Sequence, residues 1–205
     1  GDVYKRQEFG CGQFGDFLYV IRFGTATEIW RIASDGAATL FASGLGQSYD
    51  DSLCFSPDGT ELFVADPGAA RIYRIAPIQP SETVRVGTPP NPTSFLPGQT
   101  SGPVIGSVWD PVVDHTSFVT DAVADIAVVA TGPFNLLLGA PGTLLCDPSA
   151  VLAVLGAPAP GDPFAIPVPN NVLFVGLGLC AQAGSVDPQG VVAFTNALDI
   201  VLGWT

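Results

Sequence analysis

Two short patterns recur at a nearly constant interval near the start of the chain. Leu18-Tyr19-Val20 returns 44 positions later as Leu62-Phe63-Val64, and Ile29-Trp30-Arg31-Ile32 returns 43 positions later as Ile72-Tyr73-Arg74-Ile75. The chain also holds 24 glycines and 19 prolines, which favour turns and short strands over long helices. A repeat of roughly 40–45 residues with about four short strands is typical of β-propeller blades. We therefore expect residues 8–87 to form about two blades of a partial propeller, with a simple β-meander as the alternative.

The second copy of the repeat predicts its strands in detail. An inner strand is expected over 51–56, followed by a turn at Pro57-Asp58-Gly59, where proline presets the backbone. Alternating side chains predict further strands over 61–65 and 71–75, with Glu82–Val86 as the outer fourth strand. The first copy supplies strands over 17–22, 28–32 and 39–42.

The same copy carries a more specific likeness. Its runs Asp51-Ser52-Leu53-Cys54-Phe55-Ser56-Pro57-Asp58-Gly59, Leu62-Phe63-Val64-Ala65-Asp66 and Arg71-Ile72-Tyr73-Arg74-Ile75 resemble blades of the NHL and SMP-30 (gluconolactonase-like) propellers. The resemblance implies the C-terminal blades of such a propeller. It implies no single activity, because propellers host many unrelated functions.

One aspartate of these blades matches a metal position. In SMP-30-like hydrolases, Glu, Asn and Asp at inner-strand ends hold a divalent metal, and the resemblance places Asp51 on such a position. A cation such as calcium is therefore the candidate cofactor. The family usually has glycine where this chain has Ser52, and Asp50 points the other way along the strand. Asp66 matches a blade position that usually caps a turn.

The first residues do not resemble a natural N-terminus. Asp2 to Gln7 resemble the translation of a transposon end used in sequencing libraries, the chain has no methionine, and Lys5 is its one lysine. We therefore expect residues 1–7 to be an adapter remnant and the natural chain to begin at Glu8. The chain is then expected to be a fragment, with further blades and a signal peptide encoded upstream.

The composition changes after the repeat. Seven prolines fall between Ala76 and Pro103, so we expect residues 88–103 to be a proline-rich, extended linker. Short apolar runs separated by turn residues then predict an antiparallel, β-sandwich-like domain over residues 104–205. A short helix over Thr120–Ala130 is the alternative to a strand there. Strands are expected over 105–109, 126–131, 143–146, 151–155, 164–168, 172–183, 191–194 and 198–203.

The C-terminal half has a resemblance of its own. Ser101–Gly106, Trp109–His115, Gly142–Cys146 and Thr195–Ile200 are similar to a C-terminal domain that recurs behind propeller repeats in large exported proteins of environmental bacteria. The resemblance implies an extracellular, cell-surface or periplasmic location. The position of this domain at the end of the chain suggests a sorting, anchoring or matrix-contact module, with cell-surface or matrix components as its partners.

The charge of the chain excludes several partners. The formal net charge is −12, and no lysine or arginine follows Arg85. Such a surface repels phosphate backbones and anionic headgroups, so we expect neither nucleic-acid binding nor electrostatic membrane binding. Glycine, proline and aspartate interrupt every long apolar window, so no membrane span is expected.

The four cysteines suit an oxidising compartment. Cys146 and Cys180 lie on predicted strands 34 residues apart, and we expect a disulfide between them, with two buried free thiols as the alternative. Cys11 and Cys54 occupy equivalent places in the two copies of the repeat and are left unassigned. No pair has the CxxC spacing of zinc or thioredoxin-like sites.

Three further residues invite a functional interpretation. His115 is the one histidine, and we expect a turn residue hydrogen-bonded to Asp114 or to the backbone rather than a catalytic base. Trp109 and Trp204 are expected to anchor the core of the C-terminal domain, with a carbohydrate platform as the alternative.

Three functions remain in competition. The first is a non-catalytic fragment of an exported bacterial protein, with a propeller that binds an unidentified ligand and a C-terminal sorting, anchoring or structural module. The second is the C-terminal part of an SMP-30-like, metal-dependent lactonase whose other ligands lie upstream. A carbohydrate-binding sandwich is a third reading, which an exposed row of aromatic residues would favour.

Overall fold

The structure is a computed structural model that describes residues 4–23, 27–46 and 52–204. All its regular elements are β-strands and two single 3-10 turns, as the sequence predicted. The chain divides into two compact units. The N-terminal unit comprises residues 1–78, 170–175 and 204–205, and the C-terminal unit comprises residues 79–169 and 176–203.

The N-terminal unit contains two antiparallel meanders in which each strand pairs with the next along the chain. The first consists of β1 (Tyr4–Phe9), β2 (Leu18–Arg22), β3 (Thr27–Ile32) and β4 (Ala38–Leu45), and the second of β5 (Ser52–Phe55), β6 (Leu62–Asp66) and β7 (Arg71–Ile75). The sequence repeat thus superimposes β2 on β6 and β3 on β7. Neither sheet closes on itself within the described residues, so a propeller remains a prediction.

Residues set aside as an adapter remnant take part in this unit. Tyr4–Gln7 form the first part of β1, where Tyr4 pairs with Arg22 and Gln7 with Val20.

An aromatic cluster forms the core of the N-terminal unit. Phe14 and Phe41 each lie about 5 Å from Trp204, at 5.1 and 4.9 Å between ring centroids, and Tyr19 lies 4.9 Å from Phe41. Trp204 is therefore a core residue, as expected, but of the N-terminal unit. Its place in the C-terminal domain was predicted wrongly, because residue position along the chain does not reveal that the last residues leave that domain.

The C-terminal unit is built on a five-stranded antiparallel sheet with the strand order β15-β12-β17-β18-β8. Three two-stranded ribbons accompany it: β13-β14, β9-β11 and β10-β16. Its strands are β8 (Ser81–Arg85), β9 (Phe95–Leu96), β10 (Val108–Trp109), β11 (Val112–Val113), β12 (Ala124–Ala130), β13 (Pro133–Leu137), β14 (Thr143–Cys146), β15 (Val151–Gly156), β16 (Ile166–Pro167), β17 (Gly178–Val186) and β18 (Val192–Val201).

The predicted outer blade strand belongs to this sheet instead. β8 covers most of Glu82–Val86, but it pairs with β18 and not with β7. The physical reason is side-chain pairing: the Arg85 guanidinium binds both carboxylate oxygens of Asp199 on β18, at 2.7 and 2.9 Å. The N-terminal unit therefore ends near Ile78 and not at residue 87.

The predicted linker is also part of the C-terminal unit. Within the stretch 88–103 that was expected to be a spacer, Asn91, Ser94 and Phe95 are buried, and β9 pairs with β11, which lies beyond that stretch. Proline content predicted an extended spacer, but residues 87–90 form a turn, and composition could not reveal the contacts of Asn91 and Phe95 with distant strands.

In this half, one strand prediction is confirmed over its helical alternative, and others need correction. β12 forms as a strand over Ala124–Ala130, so the helical alternative is wrong there. The expected strand over 172–183 begins only at Gly178, because Val172–Phe174 form a 3-10 turn whose Leu173 amide is capped by the Asn171 side chain. The two strands expected over 191–203 are one strand, β18, with an irregularity opposite Gln182 and Gly184.

Candidate functional site

The predicted metal ligand Asp51 lies outside the described residues, as does Asp50. Asp66, at the end of β6, is described and fully buried. Its Oδ1 accepts a hydrogen bond from the Ala69 backbone amide at 3.0 Å, which is the turn-capping role that the blade resemblance implied. Its Oδ2 faces Gly46 and has no hydrogen-bond partner.

The described residues supply only part of a cation site. Asp66 Oδ2 is their one buried side-chain oxygen or nitrogen without a partner. Calcium takes about six to eight oxygen ligands. Within the described ranges, no group of three or more His, Cys, Asp or Glu residues could hold a metal ion. A site at this place therefore depends on oxygens beyond the described part of the chain.

His115 is held in a buried network with Asp125 and Ser185. Its Nε2 lies 2.9 Å from Asp125 Oδ2, and its Nδ1 lies 2.8 Å from the backbone oxygen of Phe118. The Ser185 hydroxyl donates to the same carboxylate, as does the Gly161 amide at 2.8 Å. The expected backbone bond of His115 is present, but its carboxylate partner is Asp125 and not Asp114.

This order of contacts does not suit nucleophilic catalysis. In a serine hydrolase the histidine lies between serine and aspartate and takes the hydroxyl proton. Here Asp125 lies between Ser185 and His115, and Ser185 is fully buried at the sheet. The network instead fastens the segment around His115 to β12 and β17.

Both ring nitrogens of His115 face oxygens that only accept hydrogen bonds, so the protonated imidazolium fits the site best. Burial lowers the pKa of His115, but the hydrogen bonds to Asp125 and to the Phe118 carbonyl outweigh it. The net effect is a raised pKa.

A second site stands out by its exposure. All five residues of β13 are exposed, and the three leucines at the tip of the β13-β14 hairpin, Leu136, Leu137 and Leu138, are 45%, 55% and 45% accessible. The sequence has no charged residue from Ile126 to Cys146. We call residues 133–146 the leucine hairpin.

Buried side-chain amides hold the leucine hairpin on the sheet. The Gln182 amide accepts from the Leu145 backbone amide at 2.7 Å and donates to the Thr143 carbonyl at 2.9 Å. Asn91 binds Thr143 in the same two-way manner, at 2.8 and 2.6 Å. Each amide thus takes the place of a peptide group in a neighbouring strand.

Covalent and charged contacts reinforce this attachment. Cys146 of the hairpin and Cys180 of β17 form the expected disulfide, with 5.6 Å between their Cα atoms. Arg85 donates to the carbonyl oxygens of Leu145 and Phe134, at 2.8 and 3.2 Å. Both cysteines are buried, so the hairpin base is rigid while its tip is exposed.

The remaining candidate residues are structural in this geometry. Trp109 is buried, as expected for a core anchor, and its Nε1 donates to Glu82 at 2.7 Å. Because both Trp109 and Trp204 are buried, neither offers a carbohydrate platform. Cys11 and Cys54, which the sequence left unassigned, are exposed free thiols.

Sequence reasoning missed the leucine hairpin. The run Leu136-Leu137-Leu138 was visible, but strand alternation is lost there and no strand was predicted. Three consecutive apolar residues beside a glycine, with no charge nearby, are the signal that could have indicated an exposed tip.

Comparison with known proteins returns no relatives. The chain matches no family model, and it has no significant similarity to a curated protein or to a solved structure. The function must therefore be argued from the geometry.

His115 predicts a pH dependence of stability. A raised pKa in the folded state means that its stabilising contribution is complete below about 6.5, the ordinary pKa, and is lost as pH rises through the folded value. Loss of one hydrogen bond to a charged group costs about 1.5–3 kcal/mol. Urea unfolding of the wild type should show a free energy of unfolding that declines as pH rises above about 6.5.

The matched variant is His115→Gln, whose side chain does not titrate. Its free energy of unfolding should be nearly flat over the same pH range. An identical decline in the variant would assign the pH dependence to other groups.

Proposed function

We propose that the chain is part of an exported bacterial protein in which a propeller-like platform binds a ligand and the C-terminal unit attaches the protein to a surface or matrix. The observation that carries the proposal is the leucine hairpin. Contiguous exposed apolar side chains on a soluble domain usually mark an interaction site. The net charge of −12 disfavours electrostatic binding to anionic surfaces, so an apolar contact is the mode of attachment that suits this chain.

The hairpin geometry supports a docking role. A disulfide, two side-chain amides and Arg85 fix the base of the hairpin, so its tip is presented in one position. A preformed apolar tip loses little conformational entropy when a partner covers it. Leu136, Leu137 and Leu138 are therefore the residues we assign to the contact.

Two features of the N-terminal unit support the proposal of a propeller-like platform. Two strands of each meander follow the sequence repeat, with β2 matching β6 and β3 matching β7, as in successive blades. The two meanders also approach closely at one end: the Gln13 amide donates to the Gly59 carbonyl at 3.1 Å, and a side chain at Gly12 would collide with Gly59. Further blades would complete the platform.

Export is supported by the disulfide. Bonds such as Cys146–Cys180 form and persist in oxidising compartments outside the cytosol. No helix in the described part of the chain is long and apolar enough to cross a bilayer. The means of retention that we propose is surface attachment by the leucine hairpin, on the ground of its exposed leucines.

Retention can be tested by substitution at the tip. The chain is exported behind a cleavable signal in a Gram-negative host, and the fractions on the cell surface and in the medium are compared. The double variant Leu136→Ser/Leu137→Ser should shift the protein to the medium severalfold, because it removes the exposed apolar contact.

The control is Ile72→Ser/Val123→Ser, which removes two exposed apolar side chains elsewhere. It should be retained like the wild type. Equal release of the two double variants, or release of the unsubstituted chain, contradicts the attachment role.

The second candidate function is an SMP-30-like, metal-dependent hydrolase. Its specific support is the unpartnered Oδ2 of Asp66, a buried oxygen that a cation could satisfy. Asp51, the ligand position implied by the resemblance, would supply a further oxygen. We assign no reaction step to the cation.

Calcium titration distinguishes this candidate. If the site exists, calcium should raise the melting temperature of the chain, and Asp51→Ala or Asp66→Asn should abolish the rise. The matched control is Asp58→Asn, an exposed turn aspartate that should leave the rise intact. A melting temperature that calcium does not change rejects a site on this chain.

A further inference from the structure

The five-stranded sheet of the C-terminal unit has two edges of different character. β15 is the outermost strand at one edge, and no described strand pairs with its outer side. Its sequence, Val-Leu-Ala-Val-Leu-Gly, contains no charged residue and no proline. Such an edge presents free backbone amides and carbonyls to any extended partner.

The opposite edge is protected. β8 carries Glu82 and Arg85 and follows Pro80. Charged side chains and proline are the usual devices that prevent an edge strand from pairing with another chain. Since one edge of the sheet has these devices and the other lacks them, β15 is the edge at which pairing is permitted.

The surroundings of β15 define what can pair with it. Leu152 and Val154 are 58% and 64% accessible, although both are large apolar residues. Leu152 and Ala153 also border a cavity of about 230 Å³ whose walls include Val129, Ile166 and Pro167. A strand added here covers these side chains best when it is itself apolar and uncharged.

The β-bulge in β15 limits the pairing segment. Val129 faces Ala153 and Ala130 faces Val151, so Leu152 is the extra residue. A bulge twists the edge locally. The regular part that remains available runs from Ala153 to Gly156.

We propose that β15 is a self-association edge, which pairs antiparallel with β15 of a second copy of this chain. β15 itself has the properties that the added strand requires: it is extended, uncharged and apolar. A two-fold axis through the strand pair makes the contact self-complementary and closes it at two copies. The pairing joins two five-stranded sheets into one continuous sheet.

Charge favours this edge of the sheet over the β8 edge for self-association. Copies with a net charge of −12 repel each other, and the repulsion is least where the facing segments are neutral. No charged residue lies between Asp147 and Asp162, the stretch that contains β15. Two copies that meet here therefore bring no like charges directly opposite each other within the strand pair.

Sedimentation velocity over a range of concentrations tests the proposal. The chain carries Cys11→Ser and Cys54→Ser, so that its two exposed thiols cannot link copies. We expect a reversible dimer, and Val154→Lys should weaken its affinity at least tenfold, because it places a charge from each copy within an otherwise uncharged strand pair.

The matched control is Val84→Lys on β8, a similarly exposed valine on the protected edge. It should leave the dissociation constant unchanged. Equal weakening by the two lysines overturns the proposal, as does a parent chain that stays monomeric up to the highest soluble concentration.

Hydrogen exchange provides a readout that does not depend on a variant. The amides of Ala153–Gly156 should exchange more slowly at concentrations where the dimer forms, while those of β8 should not change. Slowing at β8 or at the leucine hairpin instead of β15 would place the interface elsewhere and overturn the proposal. Surface retention by the hairpin is measured separately, so the two proposals can fail independently.

Discussion

Side-chain amides that replace peptide groups are the interaction on which the C-terminal unit depends. Asn196 binds both the amide and the carbonyl of Phe95, at 2.8 and 2.9 Å, as a residue of a neighbouring strand would. Asn91 and Gln182 do the same for the leucine hairpin. A buried backbone group without a partner costs about 1–3 kcal/mol, so short ribbons can pack here only because these amides satisfy them.

This constraint explains why the unit needs so few charges. Arg85 is its one lysine or arginine, and its contacts with Asp199, Leu145 and Phe134 are all near the base of the hairpin. The Cys146–Cys180 bond lies beside it and constrains the unfolded chain by about 3–4 kcal/mol in the loop-entropy model. Amide, guanidinium and disulfide contacts therefore converge on one place, and the exposed leucines extend from it.

Local sequence patterns predicted the features that depend on neighbouring residues, namely strands and turn caps. Alternating apolar residues gave the strands of the repeat, and Asp66 caps its turn as the blade pattern implied. The long-range partners were beyond such reasoning. Nothing near Glu82–Val86 indicates that Arg85 binds Asp199, which is 114 residues away along the chain. The strand over these residues was therefore assigned to the second meander, whereas it belongs to the five-stranded sheet.

The burial of polar residues in the core was the other feature that the sequence did not predict. Asn91, Gln182 and Asn196 appear in the sequence as ordinary loop or strand residues, and their burial depends on carbonyls and amides supplied by distant strands. The leucine hairpin was not predicted for the same reason. Its position depends on these side-chain amides, and its own sequence lacks the alternation of apolar and polar residues that indicates a strand. The expected linker became part of the core because Asn91 binds Thr143.

Amide hydrogen exchange at Leu145 tests this account most directly. Its N–H is bonded to the Gln182 side chain, so Gln182→Leu removes the acceptor while keeping a side chain of similar size. We predict that the Leu145 amide of the variant exchanges at least tenfold faster, while the amides of β12, which pair with strands on both sides, keep their protection. An unchanged exchange rate at Leu145 would show that the hairpin is held by other contacts and would contradict the account.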